Sequence, residues 1–533
     1  MSKKRFGAML DMSRNAVMKP SEVKNYAKIL KSFGYNMIQL YTEDTYEVDG
    51  EPYFGYMRGR YTKEELLDIV NYCESIDIEV IPCIQTLAHL SQIFRYGDYA
   101  KINDTTDILL VGDERTYEFI ENIFKTLKQV FKSEYVHIGM DEAHMLGLGR
   151  YLDKNGYRNR FDILSEHLER VIAIAKKFGF TPIMWSDMFF RLANHGVYCS
   201  KEDVITDEIV SKCPDGVELI YWDYYHEEKE FYDNMILQHK RFGKATWFAG
   251  GAWSWNGFAP LNKWSLDTMI PAMKSCAEND IENIFITMWG DNGKECSFYS
   301  LLPVLFKLRK IYEGITEEEE IKKQFKEAIG EDYDLMMTLD LPNRVAPNNL
   351  RRTNVSKVML YNDPLCGTFD LAVNADAPAD YRAHAKTLYE NAKESKYAYI
   401  FECEAALCEL LSVKYDIGMR AREAYKKGDK KTLGVIVKDF EKASELLEKF
   451  YQKFKALWMK ENKPFGFEIH DIRLGGLKQR LITAKEKIAA YVNGEIDAIE
   501  EFDVEVLDYI RQGTKGRMPQ YNSYTMIASA NVF

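Results

Sequence analysis

The 533-residue sequence predicts an α/β protein: a (β/α)8 barrel of the TIM type over residues 1–315, followed by an α-helical C-terminal domain over residues 316–533. Three observations predict this. Eight short apolar runs alternate with amphipathic segments through the first three hundred residues or so. Successive runs start about 30 to 55 residues apart, which is room for a strand, a loop and a returning helix. Near Ile315 the texture changes to Lys- and Glu-rich segments with helical spacing. The rival architecture, an open doubly wound sheet, more often carries a Gly-rich phosphate loop after its first strand. The segment DMSRNAVM, which follows the first run here, is no such loop.

In chain order the strand-like runs are RFGAMLD, NMIQLYT, EVIPCIQ, YVHIGM, TPIMWSD, VELIYWD, ATWFAGG and NIFITMW. Each is short, apolar and rich in β-formers, as a strand buried on both faces must be. Between the first two, SEVKNYAKILKSFG reads as a helix ended by Gly34, a good left-handed C-terminal residue. Between the second and third, TKEELLDIVNYCESI opens with a capping box of Thr62 and Glu65. The Phe-Gly ending recurs at Phe178-Gly179 and Phe242-Gly243, each time just before a strand-like run. Beyond residue 315, long stretches such as TLGVIVKDFEKASELLEKFYQKFKALW read as bundle helices whose charges form solvated faces.

The formal net charge of −12 argues against nucleic acid as a partner, because phosphate binding wants a basic stripe. The nine cysteines are scattered and form no CxxC pair, which reads as reduced thiols in a reducing compartment. The opening MSKKRFGAML has too short an apolar stretch for a signal peptide, and no run of about 18 apolar residues exists to span a membrane. These features predict a cytoplasmic protein with no membrane partner.

In a barrel of this kind chemistry collects at the C-terminal ends of the strands. Those ends hold Asp11 and Arg14, Glu43 and Asp44, Gln85 and His89, then Asp141, Glu142 and His144. Later ends hold Trp185 and Asp187, Trp222 to Tyr225, Trp253 and Trp255, and Trp289 and Asp291. Tryptophans beside carboxylates suit a sugar, whose C–H faces pack on indole and whose hydroxyls donate to carboxylates. No metal-ligand spacing is visible: His144 follows Glu142 without a second ligand pair. No cofactor and no metal are expected.

The pair Asp141-Glu142 in HIGMDEAHMLGLG is unusual. Neighbours within a strand face opposite sides, and a charge aimed at the helix layer is costly unless paired. Both acids can share one cavity only where the strand yields to its loop. Mutual repulsion would then raise the pKa of one of them, as a general acid requires.

The motif HIGMDE resembles the H-x-G-x-D-E motif of glycoside hydrolase family 20, the β-N-acetylhexosaminidases, through His137, Gly139, Asp141 and Glu142. MLDMSRN resembles the family's first-strand motif, which places its sugar-binding arginine at Arg14. Asp44 and His89 resemble the residues that support the acid, Trp185 and Trp222 resemble pocket tryptophans, and MWGD resembles the eighth-strand pair at Trp289 and Asp291. The usual tyrosine-x-aspartate after the seventh strand is absent; GGAWSWNG stands there, with Trp253 as a candidate wall, and Tyr224 or Tyr225 is left to hold the acetamide. The pattern is that of the family's compact bacterial branch, in which the barrel begins near the first residue.

The resemblance implies an exo-acting, retaining enzyme that removes terminal β-linked GlcNAc or GalNAc from a small glycan or glycoconjugate, and a homodimer. It implies that the substrate's own acetamide attacks C1, with Asp141 orienting it and Glu142 as acid and then base. An O-GlcNAc-type glycosidase, a metal-dependent barrel isomerase or lyase, and a non-catalytic sugar-binding protein are the alternatives.

Overall fold

The structure, a computed structural model, describes residues 4–345, 352–509 and 518–531. Eight parallel strands close a barrel in sequence order: β1 (Arg5–Asp11), β2 (Met37–Tyr41), β3 (Glu79–Cys83), β4 (Tyr135–His137), β5 (Thr181–Trp185), β6 (Glu218–Trp222), β7 (Thr246–Gly251) and β8 (Asn283–Met288). Each falls inside one of the apolar runs read from the sequence. The barrel closes between β1 and β8, with Arg5 opposite Asn283. The helices behave as their end signals require. Thr62 accepts the Glu65 N–H, and the Glu65 carboxylate takes the Thr62 N–H back, at the start of the helix Lys63–Ser75. Gly34, Gly179 and Gly243 take φ of 86°, 74° and 64° after their helices.

The interior is filled by layers of side chains from strands around the barrel. At the N-terminal end Arg5 of β1 lies over Tyr135 of β4, 4.6 Å from the ring centroid, and Tyr135 meets Trp247 of β7 edge-on. One layer up, Trp185 of β5 packs against His137 of β4 at 4.4 Å and Phe285 of β8 at 5.8 Å. Gln39 of β2 reaches the His137 Nδ1 at 2.9 Å. Burial holds His137 neutral, with its pKa pulled down to about 3.

The chain divides into two compact units. The first comprises residues 1–252, 265–288 and 304–324, and contains the barrel strands. The second comprises residues 253–264, 289–303 and 325–533. Its frame is a set of helices, Ala377–Asn391, Ala398–Lys414, Ile417–Lys426, Lys430–Glu461 and Glu468–Asn493. In Lys430–Glu461 the buried Leu433, Ile436, Phe440, Ala443, Leu447, Phe450, Phe454 and Leu457 recur every three or four residues, which makes one continuous apolar stripe. Leu474, Leu477, Leu481, Ala484 and Ile488 do the same in Glu468–Asn493, which ends on Gly494 with φ 77°. Among the described residues no helix is long and apolar enough to cross a membrane.

Candidate active site

β4 is the shortest strand because the chain leaves the ladder early. Gly139, Met140 and Glu142 have φ of 72°, 69° and 51°. Left-handed backbone at two non-glycine residues in four is strained, and such strain clusters at functional sites. It also removes the alternation of a strand, so Asp141 and Glu142 need not point to opposite faces. Gly139 is required here: a Cβ would stand 2.1 Å from the Gln85 Oε1.

Gln85, just beyond β3, fixes this turn. Its Oε1 accepts the Met140 N–H at 3.1 Å, while its Nε2 donates to Asp141 Oδ1 at 2.8 Å and lies 3.0 Å from the Tyr41 hydroxyl. On the other side of Asp141, His89 Nε2 stands 3.2 Å from Oδ2 and 3.8 Å from Glu142 Oε2. His89 is itself held at φ 58°. Burial alone would raise the Asp141 carboxyl, but the His89 imidazolium and the Gln85 amide outweigh it and hold the group at about 2. Reciprocally, burial pulls His89 down, and the Asp141 carboxylate lifts it to about 10. The expected mutual repulsion between the adjacent acids does not govern Asp141, because a cation sits between it and the next charge.

Glu142 is the more open of the two, with a side chain 41% exposed. Its N–H donates to Asp187 Oδ2 at 3.1 Å, and its Oε1 lies 3.5 Å from Arg191 Nη2. Arg191 also holds Asp187 at 2.9 Å, one helical turn away. Burial raises Glu43 and Asp44 as well, and beside Glu142 the raised acid is Asp187. Burial, and then the Asp141 charge, push it up to about 7 against the pull of Arg191.

The other expected residues are distributed as follows. Arg14 lies 3.4 Å from Glu43 and 3.5 Å from Asp11. Asp44 turns to Arg58 at 3.0 Å, and Arg58 also donates to the Ser13 and Arg14 carbonyls; the carboxylate whose charge acts on His89 besides Asp141 is Glu43. Trp185 is only 1% exposed, edge-on to His137 in the barrel interior, so it lies in the core layer. Trp222 stacks on the buried Tyr224 at 5.4 Å, and Tyr225, 39% exposed, is tilted on Tyr224. Trp253, Trp289 and Asp291 belong to the second unit, where Trp253 stacks on Trp255 at 4.4 Å and Ser254 donates to the Trp289 carbonyl.

Gln85, Glu43 and Asp187 stood at strand ends in the sequence without a role, and Arg191 was not singled out. Its position four residues after Asp187 is the one feature that could have found it. Among the described residues, two groups of side chains come close enough to hold a metal ion, His89 with Asp141 and Glu142, and Cys199 with Asp223 and His226. The sequence spacing shows neither.

The chain matches two profiles: Glycosyl hydrolase family 20, catalytic domain, over residues 6–211, and Glycoside Hydrolase 20C C-terminal domain over residues 331–519. Hexosaminidase D of Bos taurus is 23% identical over 43% of this chain and 63% of its own length. Hexosaminidase D of Homo sapiens is 22% identical over 43% of this chain and 46% of its own. The chain therefore spans less than two thirds of these relatives. A GH20 exo β-N-acetylglucosaminidase from Vibrio harveyi has a similar structure, with a TM-score of 0.49 and 15% identity over 64% of this chain and 59% of that one. Carrying both profiles of one family in order along its length, the chain belongs to glycoside hydrolase family 20.

Proposed function

We propose that the protein is an exo-acting, retaining β-N-acetylhexosaminidase that releases terminal β-linked GlcNAc or GalNAc by substrate-assisted catalysis. The observation that carries this reading is the unequal treatment of two adjacent acids: Asp141 is buried and held ionised by His89 and Gln85, while Glu142 is half-open beside it. An ionised carboxylate next to a general acid suits a reaction whose nucleophile comes from the substrate.

In the first step the acetamide oxygen attacks C1, the bond from C1 to the leaving oxygen breaks, and Glu142 gives its proton to that oxygen. Asp141 accepts a hydrogen bond from the acetamide N–H and stabilises the positive charge that grows on the oxazolinium ring. Water then attacks C1 from the vacated side, its proton passes to Glu142, the ring opens, and the sugar leaves with retained configuration. Arg14 binds ring hydroxyls and Trp222 with Tyr224 or Tyr225 borders the acetamide; Trp253, Trp289 and Asp291 are the further sugar-binding residues that the family resemblance implies. Asp44 and His89 support the acids, with Asp44 acting through Arg58, and Trp185 backs the site from the barrel interior.

The same proposal assigns catalysis to a barrel over 1–315 and a helical domain to 316–533; the separate profile matches support that division. Nine free cysteines support a cytoplasmic location. The homodimer implied by the family resemblance is tested by light scattering of the purified protein.

The deciding experiment compares Glu142→Gln and Asp141→Asn with the wild type on nitrophenyl GlcNAc, nitrophenyl GalNAc and a chitobiose derivative. General acid catalysis contributes about 10²- to 10⁴-fold, so Glu142→Gln loses that much on chitobiose and far less on nitrophenyl leaving groups. Asp141→Asn loses activity on all of them and weakens binding of a thiazoline mimic. Equal losses for both leaving groups in Glu142→Gln, or brisk cleavage of a plain glucoside by the wild type, would overturn the proposal.

A further inference from the structure

We propose that Cys199, Asp223 and His226 form a binding site for a single zinc-class divalent ion, on the barrel but outside the Asp141–Glu142 centre. Asp223 follows β6 directly and its side chain is wholly buried. Oδ1 of Asp223 accepts the Tyr225 N–H at 2.9 Å. Oδ2 accepts the Tyr221 hydroxyl at 2.8 Å and the His226 Nδ1–H at 2.8 Å, and lies 3.8 Å from the Cys199 thiol. Thiol, carboxylate and imidazole atoms all fall within 4.8 Å of one another. Zinc bonds of about 2.0–2.3 Å set tetrahedral edges of roughly 3.3–3.7 Å between such ligands. The spacings of 2.8 and 3.8 Å bracket those edges, and the third edge, thiol to imidazole, is no longer than 4.8 Å.

Each ligand is held by a neighbour of its own. Tyr198, next to Cys199, is buried and receives the Trp222 N–H at 3.1 Å while its hydroxyl pairs with Ser186 at 3.1 Å. The His226 ring stacks on Phe231 with centroids 3.5 Å apart and planes 9° apart, and its carbonyl accepts the Tyr232 hydroxyl at 2.7 Å. The Tyr221 hydroxyl supplies the outer hydrogen bond that orients a ligating carboxylate. His226 remains 29% exposed, which leaves a solvent route to the fourth position. A set of one sulfur, one nitrogen and one oxygen selects zinc and its neighbours over calcium or magnesium, which take oxygen alone.

On binding, the ion displaces the Cys199 thiol proton to solvent, and the His226 proton moves from Nδ1 to Nε2. The ion would tie the segment ending at Cys199 to the turn 223–226, which carries Tyr224 and Tyr225.

The test is direct. The full chain, stripped with a chelator, is titrated with cobalt(II) and then with zinc(II). One equivalent of cobalt gives a thiolate charge-transfer band in the near ultraviolet, and zinc abolishes it. Cys199→Ala and His226→Ala each weaken binding at least tenfold, and Cys199→Ala removes the band. Cys366→Ala, at the exposed cysteine, keeps both. No band in the wild type, a band that survives Cys199→Ala, or one lost in Cys366→Ala would overturn the site. The readout is spectroscopic and independent of hydrolase activity.

Discussion

His89 and Asp141 tie stability to pH through shifts in opposite directions. The imidazole is raised to about 10, so its contribution is complete below its unfolded value near 6.5 and is lost as pH rises through 10. The carboxyl is lowered to about 2, so its contribution is complete above about 4 and is lost as pH falls through 2. The pair is therefore worth most between about pH 4 and 6.5. His89→Gln narrows the wild-type advantage by about 2–4 kcal/mol as pH goes from 6.5 to 10, read from urea midpoints along that range. A constant gap would show that His89 is neutral in the folded protein. Arg191 acts on the other acid. It reaches Glu142 at 3.5 Å and Asp187 at 2.9 Å, and its guanidinium lies 5.9 Å from the centroid of the Trp222 ring. Arg191→Ala lowers kcat about 10- to 100-fold on a poor leaving group with a smaller change in KM, since misplacing a reacting group by about 1 Å costs that much. Arg191→Lys keeps the charge but not the fork, and recovers part of the loss. Unchanged kcat in Arg191→Ala would remove it from the positioning of Glu142.

At the scale of elements, the turn after β4 does what the strand cannot. Three residues of positive φ release Asp141 and Glu142 from the alternating geometry, and Gln85 from the β3 end stitches the turn in place. Gly139→Ala brings a methyl to 2.1 Å from the Gln85 oxygen, at a φ of 72° that alanine resists. The variant loses about 2–4 kcal/mol of stability, the sum of a left-handed alanine and a broken buried hydrogen bond. It also loses most of its kcat/KM. Thermal unfolding and steady-state rates check both, and a Gly139→Ala protein with wild-type melting and rates would show that the turn relaxes freely.

At the scale of the whole molecule, two compact units have different kinds of interior. The barrel unit is layered with aromatic and polar side chains, whereas the helical unit combines apolar helix stripes with a buried ion pair. Lys357 is fully buried and holds Glu295 at 2.8 Å, with Arg473 on the same carboxylate at 3.5 Å. Lys357 also donates to the Asn292 carbonyl at 3.2 Å. Removing Lys357 leaves the buried Glu295 carboxylate only the longer contact to Arg473, so Lys357→Ala costs up to about 3–5 kcal/mol. The double change Lys357→Met with Glu295→Leu recovers part of that, because it removes the close pair and keeps the volume while Arg473 retains its bond to the Asn292 carbonyl. Chemical unfolding of the three proteins checks the pair, and an undisturbed Lys357→Ala would show that water reaches Glu295.

The eight strands, the Thr62 capping box, the Phe-Gly helix ends and the placing of Asp141-Glu142 at a strand end were all legible in the sequence. Each depends on residues close together in the chain, where apolar period and turn chemistry act locally. The partners of those acids were not legible, because side-chain direction beyond a strand end is set by loop dihedrals that no short-range pattern encodes. Hence Asp44 faces Arg58. Trp185 lies in the core layer. Gln85 holds the turn from a strand 56 residues away from Asp141, and Cys199 meets Asp223 and His226 across a helix and a strand. The sequence by itself determined the barrel and the two acids; the tertiary structure alone decided that Asp141 is held ionised, because that rests on a cation delivered by another loop to within 3.2 Å of it.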